Sequence, residues 1–286
     1  MNRRLLLVLA LQIVSVGTPV VGQDRGLQGQ ESCQNTPSSR VVPLPRAHAH
    51  NDYLHKRPLS EALEQGFCSV EADVFLRGDE LLVAHTVFEL RPERTLKTLY
   101  LDPLRKWIQE HNEQIYPDGS GLWLLIDIKS EAEASYQVIH RQLEEFEEIL
   151  SAVKDGQFTQ RPVTVVISGN RPVEFMRRQA FRLAAIDGRP GDLESTDPAH
   201  LIPWISTDWK SHFKWRGVGP LPVEEQDRLR DFVSRCESRG RKLRFWGAPD
   251  KPAVWQTLWE SGVSLLGTDD LEGLARFQRG QLGKTP

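Results

Sequence analysis

The sequence predicts an α/β fold, a single (β/α)8 barrel of the TIM type, on three observations. Short apolar runs alternate with amphipathic stretches along most of the chain, the pattern of βα repetition and a parallel sheet. Eight of the runs read as strands, and they are apolar nearly throughout, as strands covered on both faces are. A barrel of this kind needs about 250 residues, close to what remains of the 286-residue chain once its N-terminal segments are set aside. The main structural rival is an open doubly wound sheet. No GxGxxG follows the first strand, and the strand count fits closure.

In chain order, residues 1–22 are expected to form a signal peptide. Arg3 and Arg4 make a basic start, Leu5 to Val16 an apolar core, and Val20-Val21-Gly22 the small-residue end. The apolar run is shorter than the roughly 20 residues a membrane span requires, so the expectation is cleavage after Gly22 and export to a periplasmic or extracellular compartment. No later segment is long and apolar enough to span. Residues 23–39, polar and without periodicity, read as a flexible leader. The barrel domain is expected over 40–280. Its strand runs are "VVPLPRAHA", "CSVEADVFL" with "ELLVAH", "LWLLIDI", "VTVVIS", "RLAAID", "LIPWIS", "KLRFWG" and "VSLLGTDD". Between them lie helical stretches such as "TLYLDPLRKWIQEHN", the long Glu131 to Val153, and "PVEEQDRLRDFVSRCESRG". Gly66, Gly240 and Gly262 stand just before the next apolar run, where a helix ends.

Hydrophobic residues at 39% and a formal net charge of −3 describe a globular chain with no basic footprint, which excludes a typical nucleic-acid reader. Cys33, Cys68 and Cys236 show no CxxC or zinc-finger spacing. One disulfide and one free thiol would suit an oxidising compartment, and the sequence does not choose the pair. Cys68, inside an apolar run, reads as a packing residue.

In a parallel barrel the catalytic side chains sit at the C-terminal ends of the strands, and the titratable residues of this chain fall there. His48 and His50 end the first run, two apart, so an extended backbone points them to one face. Glu71 and Asp73 repeat that spacing in the second run, among Val70, Ala72 and Val74. Two carboxylates on one face of a buried strand repel one another and are costly to desolvate without a cation. A divalent cation, Mg²⁺ first and Ca²⁺ next, takes such oxygen ligands readily. Asp127, after "LWLLI", is a third oxygen ligand, and Lys129 two positions on is placed to pair with it or to meet an anionic substrate. His85 is a further imidazole at a strand terminus.

Two histidines beside an oxygen-ligated metal suit cleavage of a phosphodiester. One accepts a proton from the attacking hydroxyl or water while the other donates to the leaving oxygen, and an unperturbed imidazole titrates near neutrality. Ser168-Gly169-Asn170, Asp187 and Trp246 also fall at strand ends and are candidates to line the pocket. Trp204, Trp209, Trp215, Trp255 and Trp259 read mostly as core aromatics. The segment "WKSHFKW", Trp209 to Trp215, is the expected place for an amphipathic rim that meets a lipid or choline-like head group in transient membrane-surface contact.

The stretches "AHAHNDY", "SVEADVFLRGDELLVAH", "LLIDIK" and "GVSLLGTDD" resemble the phospholipase-C-like phosphodiesterase superfamily. Its members include glycerophosphodiester phosphodiesterases, phosphatidylinositol-specific phospholipase C and the sphingomyelinase D enzymes of spider venom. More narrowly, "HAHNDY", "PLSEAL" and "LYLDPL" are similar to the subgroup called altered inheritance of mitochondria protein six. The resemblance runs from about Arg46 to Leu274 and implies a TIM-type barrel, a divalent cation and histidine acid/base catalysis. By it, Glu71 and Asp73 match an E-x-D metal pair, Asp127 with Lys129 a D-x-K, and His85 the histidine that closes the second strand segment. His50 and His48 lie 21 and 23 positions before Glu71, so spacing leaves both open as the first catalytic histidine, with His50 favoured. Asn51 stands where the glycerophosphodiesterase "HRG" has a phosphate-contacting arginine, and Asp127 where those enzymes have glutamate. Both departures point away from glycerophosphodiester specificity.

Two rival functions remain on the sequence. H-x-H at the first strand end also opens the metal motif of amidohydrolases, with Asp269 as a late aspartate, although His200 and His212 fit the remaining ligand positions poorly. An exported barrel that has lost catalysis and acts as a binding module is the other.

Overall fold

The computed structural model describes residues 41–283; the expected signal peptide and leader, with Cys33, lie outside the described residues. Eight strands form the frame: β1 (Leu44–Ala49), β2 (Phe67–Arg77), β3 (Leu122–Ile128), β4 (Val163–Gly169), β5 (Ala184–Gly188), β6 (Trp204–Asp208), β7 (Lys242–Trp246) and β8 (Leu266–Thr268). They pair in parallel in the order β7-β6-β5-β4-β3-β2-β1-β8. The ring closes between the two ends of that order. Leu265 N donates to Leu243 O at 3.1 Å, and Arg244 and Leu265 form a parallel bridge. The expected TIM-type barrel is the fold.

Helices follow the strands: α1 (Ser60–Glu64), α2 (Asp102–Glu110), α3 (Ala132–Glu144), α4 (Val173–Arg178), α5 (Trp209–His212), α6 (Val223–Glu237), α7 (Pro252–Glu260) and α8 (Leu271–Leu282). After β5 there is only a 3-10 turn, Pro190–Asp192. α6 shows why these stretches are helical. Leu229, Phe232, Val233 and Cys236 recur on one buried face, Glu224 and Glu225 meet the positive N-terminal end, and Arg235 lies in the last turn. Gly66 shows why glycine precedes a strand: its φ is +88°, and a Cβ there would sit 2.2 Å from Val42 O.

The helix expected from Glu131 to Val153 ends early. α3 stops at Glu144 because Phe146 leaves helical geometry at φ −124° and turns into the core beneath Lys97 and Arg105. The chain then enters a hairpin, Ala152–Lys154 against Gln157–Thr159, around Asp155 and Gly156, both at positive φ. Asp-Gly is the strongest short hairpin signal, and it lay inside a helical pattern.

Two apolar cores result. One lies between strands and helices. The other fills the barrel's interior with Leu125, Val166, Ala185, Trp204 and Leu265, against which Trp123 packs. Cys68 and Cys236 are buried free thiols in the first of these cores. The expectation for "WKSHFKW" is overturned. Trp209 is 0% exposed, stacks on Phe213 at 4.0 Å and donates its indole N–H to Trp215 O, while Trp215 is 8% exposed and donates to Val218 O. With each indole N–H satisfied by backbone, both rings bury without cost to a polar atom. Among the described residues no helix is long and apolar enough to cross a membrane.

Candidate active site

The barrel strands carry the site upward from the apolar interior. Along β2 the inward positions read Ser69, Glu71, Asp73, and along β3 Trp123, Leu125, Asp127. The register sets Ser69 beside Trp123, Glu71 beside Leu125, and Asp73 beside Asp127, whose neighbour on β4 is Ser168. One inward step along β3, from Leu125 to Asp127, and along β5, from Ala185 to Asp187, therefore changes an apolar floor into a charged basin. Above it opens a cavity of about 290 Å³ lined by His50, His85, Asp73, Asp127, Lys129 and Arg189, among others.

Glu71, Asp73 and Asp127 each offer a carboxylate oxygen within 4.8 Å of the other two. Their electrostatic states differ. Burial alone would raise the Glu71 carboxyl, but Arg244 and His48 hold it well below the usual carboxylate range, since its Oε2 accepts from both Arg244 Nη2 and His48 Nε2. Burial pushes the Asp73 carboxyl up to about 6 and raises Asp127 as well, in each case against the attraction of Lys129. Lys129 Nζ lies 3.2 Å from Asp73 Oδ2 and 3.2 Å from Asp127 Oδ1. Asp73 Oδ1 is buried without a hydrogen-bond partner. At Gly169, φ +66°, a Cβ would fall 2.1 Å from Asp127 Oδ1, so glycine leaves that carboxylate its room.

The structure separates the three histidines, and it removes His48 from the reacting surface. His48 is 0% exposed; its Nε2–H donates to Glu71 Oε2 at 3.0 Å and its Nδ1 accepts from Ser69 Oγ at 2.7 Å. Burial first, then the charge of Arg244, lowers its pKa to about 4, so it is a neutral ring with both nitrogens engaged, buried in the strand layer beneath the basin. His50 lies one residue beyond β1, with its side chain 37% exposed, and its Nδ1–H donates to Asp269 Oδ1 at 2.8 Å. Burial would lower its pKa, but the bond to Asp269 and the charge of Glu71 outweigh that and raise it. His85, 55% exposed in its side chain, follows the short strand Glu80–Val83, which pairs antiparallel with the end of β2 and brings the ring back over the basin. Its Nδ1 is 3.2 Å from Tyr53 Oη.

The weaker candidates divide. Asp187 is fully buried and Ser168 nearly so; Ser168 Oγ donates to Asp187 Oδ2 at 2.7 Å, and Asp187 Oδ2 accepts from Arg189 Nη1 at 2.6 Å. Their product is a guanidinium held at the cavity wall. Trp246 lines the cavity, and Asn170 donates to Ser130 O instead. His200 bonds Arg182 and stacks on Phe158, and His212 bonds Thr207; neither lines the cavity. Since His48 also has no free nitrogen, the amidohydrolase ligand set is not assembled. Asp269 anchors His50. Arg244 and Arg189 were not singled out by sequence; the signal for Arg244 was a charge at the centre of "KLRFW" with the inward period of Lys242 and Trp246.

A closed parallel barrel with imidazoles, carboxylates and guanidinium groups converging at the C-terminal ends of its strands is an enzyme scaffold in the hydrolase mould. The chain belongs to the AIM6-like phosphodiesterase family, whose domain model matches residues 36–185, and it is a phosphodiesterase by that membership. It is 31% identical over 262 residues to altered inheritance of mitochondria protein 6 homolog of Arthroderma benhamiae, covering 81% of this chain and 82% of that protein. It is also 31% identical over 277 residues to altered inheritance of mitochondria protein 6 of Eremothecium gossypii, covering 84% and 71%. Similar solved structures are glycerophosphodiester phosphodiesterases from Parabacteroides distasonis (TM-score 0.49, 16% identity, 83% of this chain and 98% of that one) and Agrobacterium tumefaciens (TM-score 0.46, 13% identity, 83% and 100%).

Proposed function

We propose that this phosphodiesterase is cation-dependent, that His50 and His85 move the protons, and that its substrate is a small or lipid-derived phosphodiester. The observation that carries the proposal is the convergence on one cavity of two half-exposed imidazoles, each with one nitrogen anchored, above three clustered carboxylates. Glu71, Asp73 and Asp127 would hold the ion. The fit rests on an all-oxygen donor set, the unpartnered buried Asp73 Oδ1, and two carboxyls whose burial disfavours their charge. Such a set suits Mg²⁺ or Ca²⁺ better than zinc. When bound, the ion supplies Lewis-acid neutralisation of the phosphoryl oxygens.

Charge balance supports the same reading. Glu71, Asp73 and Asp127 match Lys129, Arg189 and Arg244 in number on the cavity wall, so the lining offers a phosphodiester anion no net positive charge until a divalent cation adds it. Arg189 and Lys129 then face the anion. The attacking oxygen, of water or of a neighbouring substrate hydroxyl, gives its proton to one imidazole as it bonds phosphorus. The bond to the leaving oxygen breaks, and that oxygen takes a proton from the other imidazole. Past His50 and Trp246 the cavity continues into a smaller one of about 170 Å³, room for one ester arm. Export with cleavage, proposed from residues 1–22, predicts a mature N-terminus at Gln23 on secreted protein, read by N-terminal sequencing; an intact Met1 there would refute the cleavage, and protein retained in the cytoplasm would refute the export.

The test is turnover of bis(p-nitrophenyl) phosphate, glycerophosphodiesters and lysophospholipids with Mg²⁺, Ca²⁺, Zn²⁺ or EDTA. Activity should vanish in EDTA, and His50→Ala or His85→Ala should each cost roughly 10²- to 10⁴-fold in rate. Full turnover in EDTA would remove the cation, and near-normal rates in both variants would remove the proton relay.

A further inference from the structure

We propose that Tyr53 is the positioning residue of His85: its phenol fixes the imidazole in the Nδ1–H tautomer and so presents a bare Nε2 to the cavity. This rests on the proton-transfer roles assigned above and adds which way the protons run.

Tyr53 is 1% exposed, in the short turn Asp52–Leu54 that follows β1. Its hydroxyl oxygen lies 2.7 Å from Asp73 Oδ2, 2.8 Å from Asn51 Oδ1 and 3.2 Å from His85 Nδ1. A phenol has a single proton for these three neighbours. An ionised carboxylate is the strongest acceptor among them, so that proton lies on Asp73. The phenol oxygen is then an acceptor, and the donor available on the imidazole side is His85 Nδ1–H. His85 cannot take this anchor from Asp73 directly, because Nδ1 to Oδ2 is 3.7 Å, beyond a hydrogen bond. The Asn51 amide, turned end for end, fits the same scheme: its NH₂ donates to the phenol, and its oxygen faces His50 Nδ1, 3.2 Å away.

The two imidazoles are thereby anchored unequally. His50 gives its Nδ1–H to the carboxylate of Asp269, a partner that favours the imidazolium. His85 gives its Nδ1–H to a neutral phenol. His85 Nε2 is accordingly the resting proton acceptor for the attacking oxygen, and His50 Nε2 the donor to the leaving one.

The experiment is ¹⁵N-histidine NMR of the whole protein in EDTA, about two pH units above the ordinary imidazole pKa, in wild type and Tyr53→Phe, with His85→Ala to assign the signal. Tyr53→Phe removes one oxygen and keeps the buried ring. His85 should be Nδ1–H in the wild type and move toward Nε2–H in the variant. With substrate and Mg²⁺, Tyr53→Phe should lower kcat about tenfold or more with KM within twofold, and should add nothing in a His85→Ala background. A wild-type His85 already in the Nε2–H form, or one unmoved by Tyr53→Phe, would overturn the proposal. Because the tautomer is read without cation or turnover, absence of any wild-type activity would count against the reaction and leave the assignment of Tyr53 standing on its own result.

Discussion

The lower and upper halves of the barrel interior are built by the same strands and obey opposite rules. Below, Leu125, Val166, Ala185, Trp204 and Leu265 form an apolar floor whose single side-chain polar atom, Trp204 Nε1, is buried without a hydrogen-bond partner. Beside and above them, Glu71, Asp73 and Arg244 are buried and Asp127 nearly so, while Lys129 reaches in from the rim with its side chain a third exposed. The floor gains stability from burial, about 1.5–3 kcal/mol for a side chain such as Leu or Val. The basin gains almost none, since desolvating a charge pair consumes most of its Coulomb energy. What the difference teaches is that the floor makes the fold affordable while the basin is kept for chemistry, and the two contributions are separable by mutation.

The largest effect should come where the halves meet. Glu71→Ala strands the buried Arg244 guanidinium and deprives His48 Nε2 of its acceptor. Breaking a buried pair from one side costs about 3–5 kcal/mol, and activity should go with it. The double change Glu71→Leu with Arg244→Leu removes both charges and should recover most of that stability in urea while remaining inactive. Equal loss in the single and double variants would mean that the basin, like the floor, is there for stability. For comparison, Trp204→Ala in the floor should cost a similar 3–5 kcal/mol through a cavity, with no chargeless double that restores it.

A smaller effect separates the halves by pH. The neutral, buried His48 has a folded pKa of about 4 against about 6.5 unfolded. As pH falls through that window the unfolded chain binds a proton that the folded one refuses, so stability declines, by up to about 3 kcal/mol. Asp73 runs the other way. Its folded pKa of about 6 lies above the unfolded value, so its contribution grows as pH falls below 6. In EDTA the two oppose one another between about pH 4.5 and 6.5, and Asp52, pushed up to about 6 by burial, adds to the side of Asp73. Asp73→Asn should shift the slope of that profile by about one proton toward loss of stability in acid, read as urea stability against pH. An unchanged slope would show that these two groups do not oppose one another.

The same contrast explains what was legible in the sequence. The barrel could be read because apolar runs and glycine punctuation are local signals, and the metal candidates because Glu71 and Asp73 break an apolar run at period two, with Asp127 ending the next. His50 and His48 were not separable by spacing, since depth in the barrel, not separation along the chain, decides which ring meets the cavity. Arg244 needed register: its partner Glu71 is 173 residues away. Tyr53 stood in a quoted motif without a role for the same reason, its partners being set by where the turn after β1 lands against β2. Trp209 and Trp215 misled because an aromatic pair flanking lysines has the same composition on a rim as in a core. Only the backbone carbonyls that take their N–H groups distinguish the two.

The smallest expected effect lies on the cavity wall, where Asp187 holds Arg189 and touches neither His50 nor His85. Asp187 Oδ2 accepts from both Ser168 Oγ and Arg189 Nη1, and Arg189 Nη2 in turn reaches Ser168 Oγ at 3.3 Å. Asp187→Asn keeps the shape and trades a charged anchor for a neutral one, worth about 1 kcal/mol or roughly fivefold in binding. If Arg189 meets the substrate anion in ground and transition state alike, the loss should appear in KM with kcat nearly unchanged. A fall in kcat with KM constant would instead place Arg189 against charge that develops only in the transition state. The wall of the basin would then belong with the imidazoles, and the division between a binding guanidinium and the reacting histidines would have to be redrawn.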